Sequence, residues 1–323
     1  MTEISKPFDI IAFSEKVAEI KVEARKALIG QEKMLDLLLT AFFAGGHVLI
    51  EGVPGVAKTL SARLLAATTK AEFKRIQFTP DLMPSDILGT SIFNPKTVDF
   101  EYKPGPIFAN MVLIDEINRA PSKTQAALFE VMEERQITQD GTTHFMEPLF
   151  MVMATQNPIE QEGTYRLPEA QLDRFMFKIN VGYPTLEEEE EILKLQNETR
   201  GFKHLKFIRE VISKEEAVVC RENLQQILAK DSLLRYVAEL IHQTRSHPSI
   251  YLGASPRASI DLLNAAKAYA AMQGRVFVTP EDVQYLLRPV IEHRISLTPE
   301  AELQGITMEE VSQEIIQQVM VPN

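Results

Sequence analysis

Gly52-Val53-Pro54-Gly55-Val56-Ala57-Lys58-Thr59 decides how the rest of the chain is read. Val48-Leu49-Ile50 leads into it as a short apolar run, and Leu60-Ser61-Ala62-Arg63-Leu64-Leu65 leaves it with helical periodicity. Strand, glycine-containing turn, Lys-Thr and helix form the layout of a phosphate-binding loop. The glycines let the backbone turn tightly, so that its N–H groups can face a phosphate. The start of the helix adds partial positive charge at the same point. In this reading Lys58 reaches the outer phosphates and Thr59 offers its hydroxyl to Mg²⁺. Ala57 stands where the usual pattern has Gly. At positive φ that alanine costs roughly 1 kcal/mol; in a helical conformation it costs nothing. The competing reading is a glycine-rich turn that holds no ligand.

Met111-Val112-Leu113-Ile114-Asp115-Glu116 is the second deciding stretch. A short apolar run ending in adjacent carboxylates is how a buried parallel strand presents acids at its C-terminal end. Asp115 then holds Mg²⁺, directly or through water, and Glu116 activates the water that attacks the γ-phosphate. The alternative is a strand followed by a solvated acidic turn.

Composition narrows the classes. A length of 323 residues suggests two domains, and 45% hydrophobic residues suit a globular protein with a real core. No apolar run is long enough to span a membrane, and residues 1–7 lack the charged-then-apolar shape of a signal peptide. The single cysteine, Cys220, excludes an internal disulfide and fits a reducing, cytoplasmic compartment. A net charge of −11 argues against a broad nucleic-acid surface, though not against a local basic pore. The six histidines are scattered without metal-ligand spacing, so Mg²⁺ carried in by a nucleotide is the metal to expect.

In chain order, apolar spacing predicts a helix over 8–29 ended by Gly30, and a second over 31–43 broken by Gly45-Gly46. A strand is predicted over 73–78. A hairpin follows, with strands near 91–93 and 100–102 and a turn at Asn94-Pro95-Lys96; a plain surface loop is the alternative. Residues 123–134 read as an amphipathic helix, and Asp140-Gly141 as the turn of a second hairpin. A strand over 149–154 leads to Thr155-Gln156-Asn157-Pro158. Asn157, an amide at a strand end beside the acidic pair, is the candidate to orient the lytic water; Asn-Pro is also a common turn. Arg174 precedes a last strand over 177–181. It serves either a neighbouring subunit's phosphate or a structural ion pair with Asp173 or Glu169.

Gly182-Tyr183-Pro184 marks a boundary. Thr185 and Glu188 form a capping box, and the acidic run 187–191 reads as a solvated face. Everything beyond is helical, with predicted helices over 214–228, 233–244, 257–272, 280–293 and 307–319. Ser255 caps the third of these with Pro256 at its first position. Arg257 then projects from a helix N-terminus, where a cation is disfavoured. It needs an anionic partner, either a nucleotide phosphate or a local carboxylate.

The stretches GVPGVAKT, QFTPDLMPSDILG, VLIDEINRAPSKTQAALFEVMEE, MATQNP, LPEAQLDRF and GASPRAS, in this order, resemble the MoxR family of AAA+ ATPases. The family's own phosphate loop accepts alanine at the place of Ala57. The resemblance implies an α/β fold: a P-loop AAA+ αβα sandwich around a parallel sheet over 1–184, then a small all-helical lid over 185–323. It implies binding of ATP and Mg²⁺. Gly52, Val53, Pro54, Gly55, Val56, Ala57, Lys58, Thr59 and Leu60 look like Walker A, and Asp115 and Glu116 like Walker B. Asn157 looks like sensor 1, Arg174 like the arginine finger, with Arg166 as its nearby rival, and Arg257 like sensor 2. Ile29-Gly30-Gln31 resembles the segment beside the adenine. The two hairpins resemble inserts that face a pore. The family implies a ring, usually a hexamer, that remodels a protein client, often with a partner bearing a von Willebrand factor A domain. The rival functions are a nucleic-acid translocase of the MCM type and a nucleotide-gated scaffold without turnover.

Overall fold

Two N-terminal helices, α1 (Ile10–Arg25) and α2 (Glu32–Ala44), lead into β1 (Val48–Gly52), α3 (Lys58–Thr68) and β2 (Phe73–Gln77). After α4 (Pro84–Leu88) come the hairpin β3 (Gly89–Asn94) and β4 (Asp99–Pro104), then β5 (Met111–Asp115) and α5 (Ser122–Glu134). A second hairpin, β6 (Gln136–Gln139) and β7 (Thr142–Phe145), precedes β8 (Met151–Gln156), α6 (Glu169–Leu172) and β9 (Phe177–Val181). This computed structural model describes residues 8–157, 164–199 and 207–322; residues 1–7 and Pro158 lie outside them.

Strands β1, β2, β5, β8 and β9 form one parallel sheet in the order β2-β5-β8-β1-β9. Period-2 alternation sorts its side chains onto two faces. Val48, Ile50, Met111, Leu113, Met151, Met153, Phe177 and Ile179 join the core built with α1, α2 and α3. Leu49, Val112, Ile114, Val152 and Ala154 join the core beneath α5, with Leu128 and Phe129. Every residue of β5 is buried, which is why its sequence is apolar without a break until Asp115. The expected αβα sandwich is therefore present.

The C-terminal part is helical: α7 (Leu186–Thr199), α8 (Lys214–Asn223), α9 (Asp231–Gln243), α10 (Pro256–Met272), α11 (Pro280–Ile291), α12 (Pro299–Leu303) and α13 (Met308–Gln318). A short pair, β10 (Ile250–Leu252) with β11 (Ser296–Leu297), interrupts it. The caps follow their residues. Glu188 N–H donates to Thr185 Oγ1 at 3.3 Å, and Thr185 N–H to Glu188 Oε2 at 2.8 Å. Ser255 Oγ accepts from Arg257 N–H at 3.2 Å.

Two helices end four or more residues before their apolar spacing predicts. Helix α1 stops at Arg25 rather than at residue 29. Glu23 is wholly enclosed and takes hydrogen bonds from Lys26 and Arg209, and the chain tightens into a turn there, leaving Gly30 beyond it at φ 72°. Helix α8 stops at Asn223 rather than at 228, because Leu228 exchanges backbone hydrogen bonds with Val276 and Val278 instead. Strand β8 runs two residues later than predicted and carries Thr155 into the sheet.

His47 ties the N-terminal edge of the sheet together. It is buried; Val152 N–H donates to its Nδ1 at 2.9 Å, and its Nε2–H is matched to the Met132 carbonyl at 3.2 Å. Burial pushes its pKa down to about 3, helped by the charge of Arg135. His293, also buried, is held well below the ordinary range by burial. A histidine whose folded pKa is depressed takes up its proton on unfolding, so stability falls as pH drops below about 6.5. Between pH 7 and 5 His47 alone should remove about 2 kcal/mol. Urea melts at the two pH values check this; coincident midpoints would show that neither imidazole is held neutral by the fold.

Candidate active site

Strand β1 delivers the glycine turn to the C-terminal edge of the sheet. Ala57 adopts φ 61° and caps α3 in the left-handed region, so this position does need positive φ, at a cost of roughly 1–2 kcal/mol. Strain of this kind is tolerated where a loop must hold a particular shape. Gly55 has φ 91° and open space where a Cβ would stand. Lys58 Nζ donates to the Gly52 carbonyl at 2.5 Å, which folds the ammonium back over the loop. Thr59 follows on the first turn of α3.

Parallel registry brings the acids to the same edge. Strand β8 lies between β1 and β5; Ile50 is level with Thr155, and Ile114 with Ala154. One hydroxyl ties the Asp115 carboxylate to the Glu116 backbone: Thr155 Oγ1 donates to Asp115 Oδ1 at 3.1 Å and accepts Glu116 N–H at 3.1 Å. Arg75 Nε donates to the other oxygen of Asp115 at 2.5 Å. Glu116 sits at φ 58°, a second left-handed non-glycine residue. Its Oε2 accepts from Gln77 Nε2 at 2.7 Å and pairs with Arg119 Nε at 3.1 Å. Asn157, 8% exposed, directly follows β8, whose last residue Gln156 is level with Glu51.

Beside this edge lies a cavity of about 180 Å³ lined by Gly30, Gln31, Met34, Ile179, Asn180, Pro289 and Glu292, among others. Ile29 is half-buried next to it. The segment expected beside an adenine therefore borders a cavity shared by α2, β9 and α11.

Arg174 and Arg257 lie elsewhere. Strand β9 is parallel to β1, with Phe177 level with Val48 and Val181 level with Gly52. Arg174 precedes Phe177, so it stands beyond the start of the strands, while the phosphate loop follows their end. Four residue steps of strand alone separate the two edges by roughly 13 Å. Arg174 Nε donates to Glu133 Oε2 at 2.5 Å, and Arg257 Nη2 to Glu133 Oε1 at 2.5 Å. The neighbouring Met132 carbonyl meets His47, the residue before β1, which puts Glu133 at that far edge too. The arginine hydrogen bonds, that of Arg257 foremost, hold the Glu133 carboxyl below the usual carboxylate range. Arg257 thus has a local carboxylate as its anion. The partner of Arg174 is neither Asp173 nor Glu169: Asp173 is taken by Ser255 and Arg294. Arg166 is exposed near the acidic edge, since Tyr165 N–H donates to the Asn118 carbonyl at 2.6 Å.

Motif reading passed over Arg75, Gln77, Arg119, Glu133 and Thr155. Gln77 ends β2 and Thr155 is the penultimate residue of β8, the two strands adjacent to β5 and its acids, which is a signal of a kind; Glu133 had none, being one of two glutamates at the end of a helix. Cys220 is half-buried, and burial pushes its thiol up to about 11, so it is no nucleophile. No helix among the described residues is long and apolar enough to cross a membrane.

Residues 47–177 match the ATPase family associated with various cellular activities (AAA), and residues 242–318 match the AAA lid domain. The chain is 50% identical to "Uncharacterized protein YeaC" of Bacillus subtilis, over 92% of each chain. It is 42% identical to "Chaperone MoxR1" of Mycobacterium tuberculosis, over 93% of this chain and 81% of that one. A solved structure of a candidate ATPase from Cytophaga hutchinsonii superposes with a TM-score of 0.90 at 41% identity, covering 98% of this chain and 97% of that one. With the phosphate loop, the acidic strand end and the sheet order already in place, these matches make the chain a nucleotide-binding ATPase, a member of the MoxR family of AAA+ ATPases.

Proposed function

We propose that the chain hydrolyses ATP with Mg²⁺ in a ring of like subunits, and that turnover remodels a protein client. The observation that carries the reading is the shared edge: the phosphate loop and the Asp115–Glu116 pair end strands two spacings apart, roughly 10 Å. A phosphate chain can bridge that gap. The backbone N–H groups over 52–60 and Lys58 would bind the phosphates. Thr59 and Asp115 would hold Mg²⁺, which when bound polarises the phosphoryl oxygens. The described residues offer no cluster of three or more His, Cys, Asp or Glu side chains that could hold a metal ion, so the remaining ligands of that ion would come from nucleotide and water. The fit rests on the Thr155 hydroxyl, which fixes Asp115 Oδ1.

Glu116 is the base. Gln77 and Arg119 hold its Oε2, which orients Oε1 to take the proton of the attacking water. Asn157 would position that water. The cavity beside Ile29 and Gly30 suits the adenine. Arg174 and Arg257, at the far edge, act on the nucleotide of an adjacent subunit; a hexamer is the expected ring. Arg166, on the acidic edge, is the weaker candidate for that role. The boundary at 184/185 separates the nucleotide domain from the lid. A protein client, and a partner with a von Willebrand factor A domain, follow from the family and from the similarity to a protein named as a chaperone. The free thiol of Cys220 agrees with a cytoplasmic setting.

Removing divalent metal with EDTA should abolish phosphate release, and added Mg²⁺ should restore it. Turnover that survives chelation would remove Asp115 and Thr59 from the assigned role. Client identity is read by pull-down with a Glu116→Gln subunit held in its ATP form; recovery of DNA or RNA in place of protein would favour the translocase reading.

A further inference from the structure

We propose that Glu133 is the positioning residue of the neighbour-facing arginines: one carboxylate orients Arg174 and Arg257 together, so that both guanidinium groups meet the phosphates held by an adjacent copy of the chain. The inference rests on the ring reading above.

The geometry is that of a shared counter-charge. Each oxygen of Glu133 takes one arginine, Oε2 from Arg174 Nε and Oε1 from Arg257 Nη2. Glu133 meets Arg174 through Nε, so Nη1 and Nη2 of Arg174 are left to other partners. Its Nη1 is steadied by the Ala170 carbonyl at 3.3 Å, and its Cζ lies 6.0 Å from the centre of the Phe129 ring. Its Nη2, and the Nε and Nη1 of Arg257, make no hydrogen bond among the described residues. The two arginines come from different parts of the chain, one before β9 and one at the start of α10. Among the described residues only Glu133 hydrogen-bonds both, although Ser255 next to Arg257 also bonds Asp173 next to Arg174, at 2.9 Å. Two guanidinium groups this close repel, and a carboxylate between them offsets that repulsion. The side chains of all three remain about a third exposed, so they can be reached by a docking surface.

Glutamine is the informative replacement. It has one acceptor oxygen where Glu133 uses two, so it can hold one guanidinium while its NH₂ faces the other. In the assembled protein Glu133→Gln should lower kcat roughly 10- to 100-fold, as misplacement of a transition-state contact does, and leave the KM for ATP unchanged. Glu133→Asp, which keeps the charge and both oxygens, should recover part of the loss. A common thermal midpoint for parent and both variants shows that the fold is retained.

Mixed rings locate the effect. Glu133→Gln subunits are combined with Glu116→Gln subunits, whose own sites are silent but whose arginine pair is intact. The mixture should turn over ATP faster than the sum of the two alone, because the intact pair now serves the Glu133→Gln subunit's nucleotide. The control is the same mixing with Arg174→Ala subunits. If Arg174→Ala is complemented and Glu133→Gln is not, or if Glu133→Gln keeps parental kcat, the inference about Glu133 is overturned while the ring stands. If neither is complemented, the ring reading fails and the inference with it.

Discussion

Glu116→Gln should reduce phosphate release by roughly 10²- to 10⁴-fold, the contribution of a positioned general base, while nucleotide binding persists. The reason lies in how the side chain is held. Gln77 Nε2 and Arg119 Nε both donate to one oxygen of Glu116. A glutamine would keep those bonds by turning its carbonyl oxygen toward the two donors. Its NH₂ group would then face the water and could accept no proton. The phosphate loop, built on a different strand, is untouched, so ATP should bind and remain. Phosphate release and retained nucleotide are measured on the same sample. Parental turnover in this variant would remove Glu116 as the base.

Arg174→Ala should lower turnover by roughly 10³-fold or more, the scale on which arginine fingers act, without weakening nucleotide binding to a single subunit. Arg174 stands at the opposite edge of the sheet from Gly52, so it cannot reach the phosphates bound by its own chain. Its loss should therefore be felt by a neighbour. The signature is a defect in the assembled state combined with parental affinity for a fluorescent ATP analogue. A variant that assembles and hydrolyses at the parental rate would rule the role out, and Arg166→Ala would then be the next to measure.

Much of this was legible along the chain because it depends on contiguous residues. An apolar run, a glycine turn and Lys-Thr must become strand, loop and helix, since each part's backbone preference agrees with the next. The same holds for Met111 to Glu116, where burial on both faces demands an unbroken apolar strand and leaves the acids at its end. The hairpin turn at Asp140-Gly141, with φ of 50° and 78°, likewise follows from two residues that tolerate that conformation. Helix ends were less legible. Nothing near Arg25 in sequence announces that Glu23 will be enclosed by Arg209, 186 positions away.

By itself, then, the order of residues determined the αβα architecture, the strand–glycine turn–helix unit at Gly52 to Thr59 and the acids at the end of β5, because local propensity and burial pattern act over a few residues at a time. Only the tertiary structure decided which groups share an edge. Strand order set Thr155 between Asp115 and Glu116 and brought Gln77 to Glu116. Parallel pairing of β9 with β1 carried Arg174 away from Lys58, and the packing of α10 brought Arg257 to Arg174 on Glu133. Pairings between residues 39 to 124 positions apart leave no periodic mark on the sequence; they are fixed by the three-dimensional closing of the sheet and its helices.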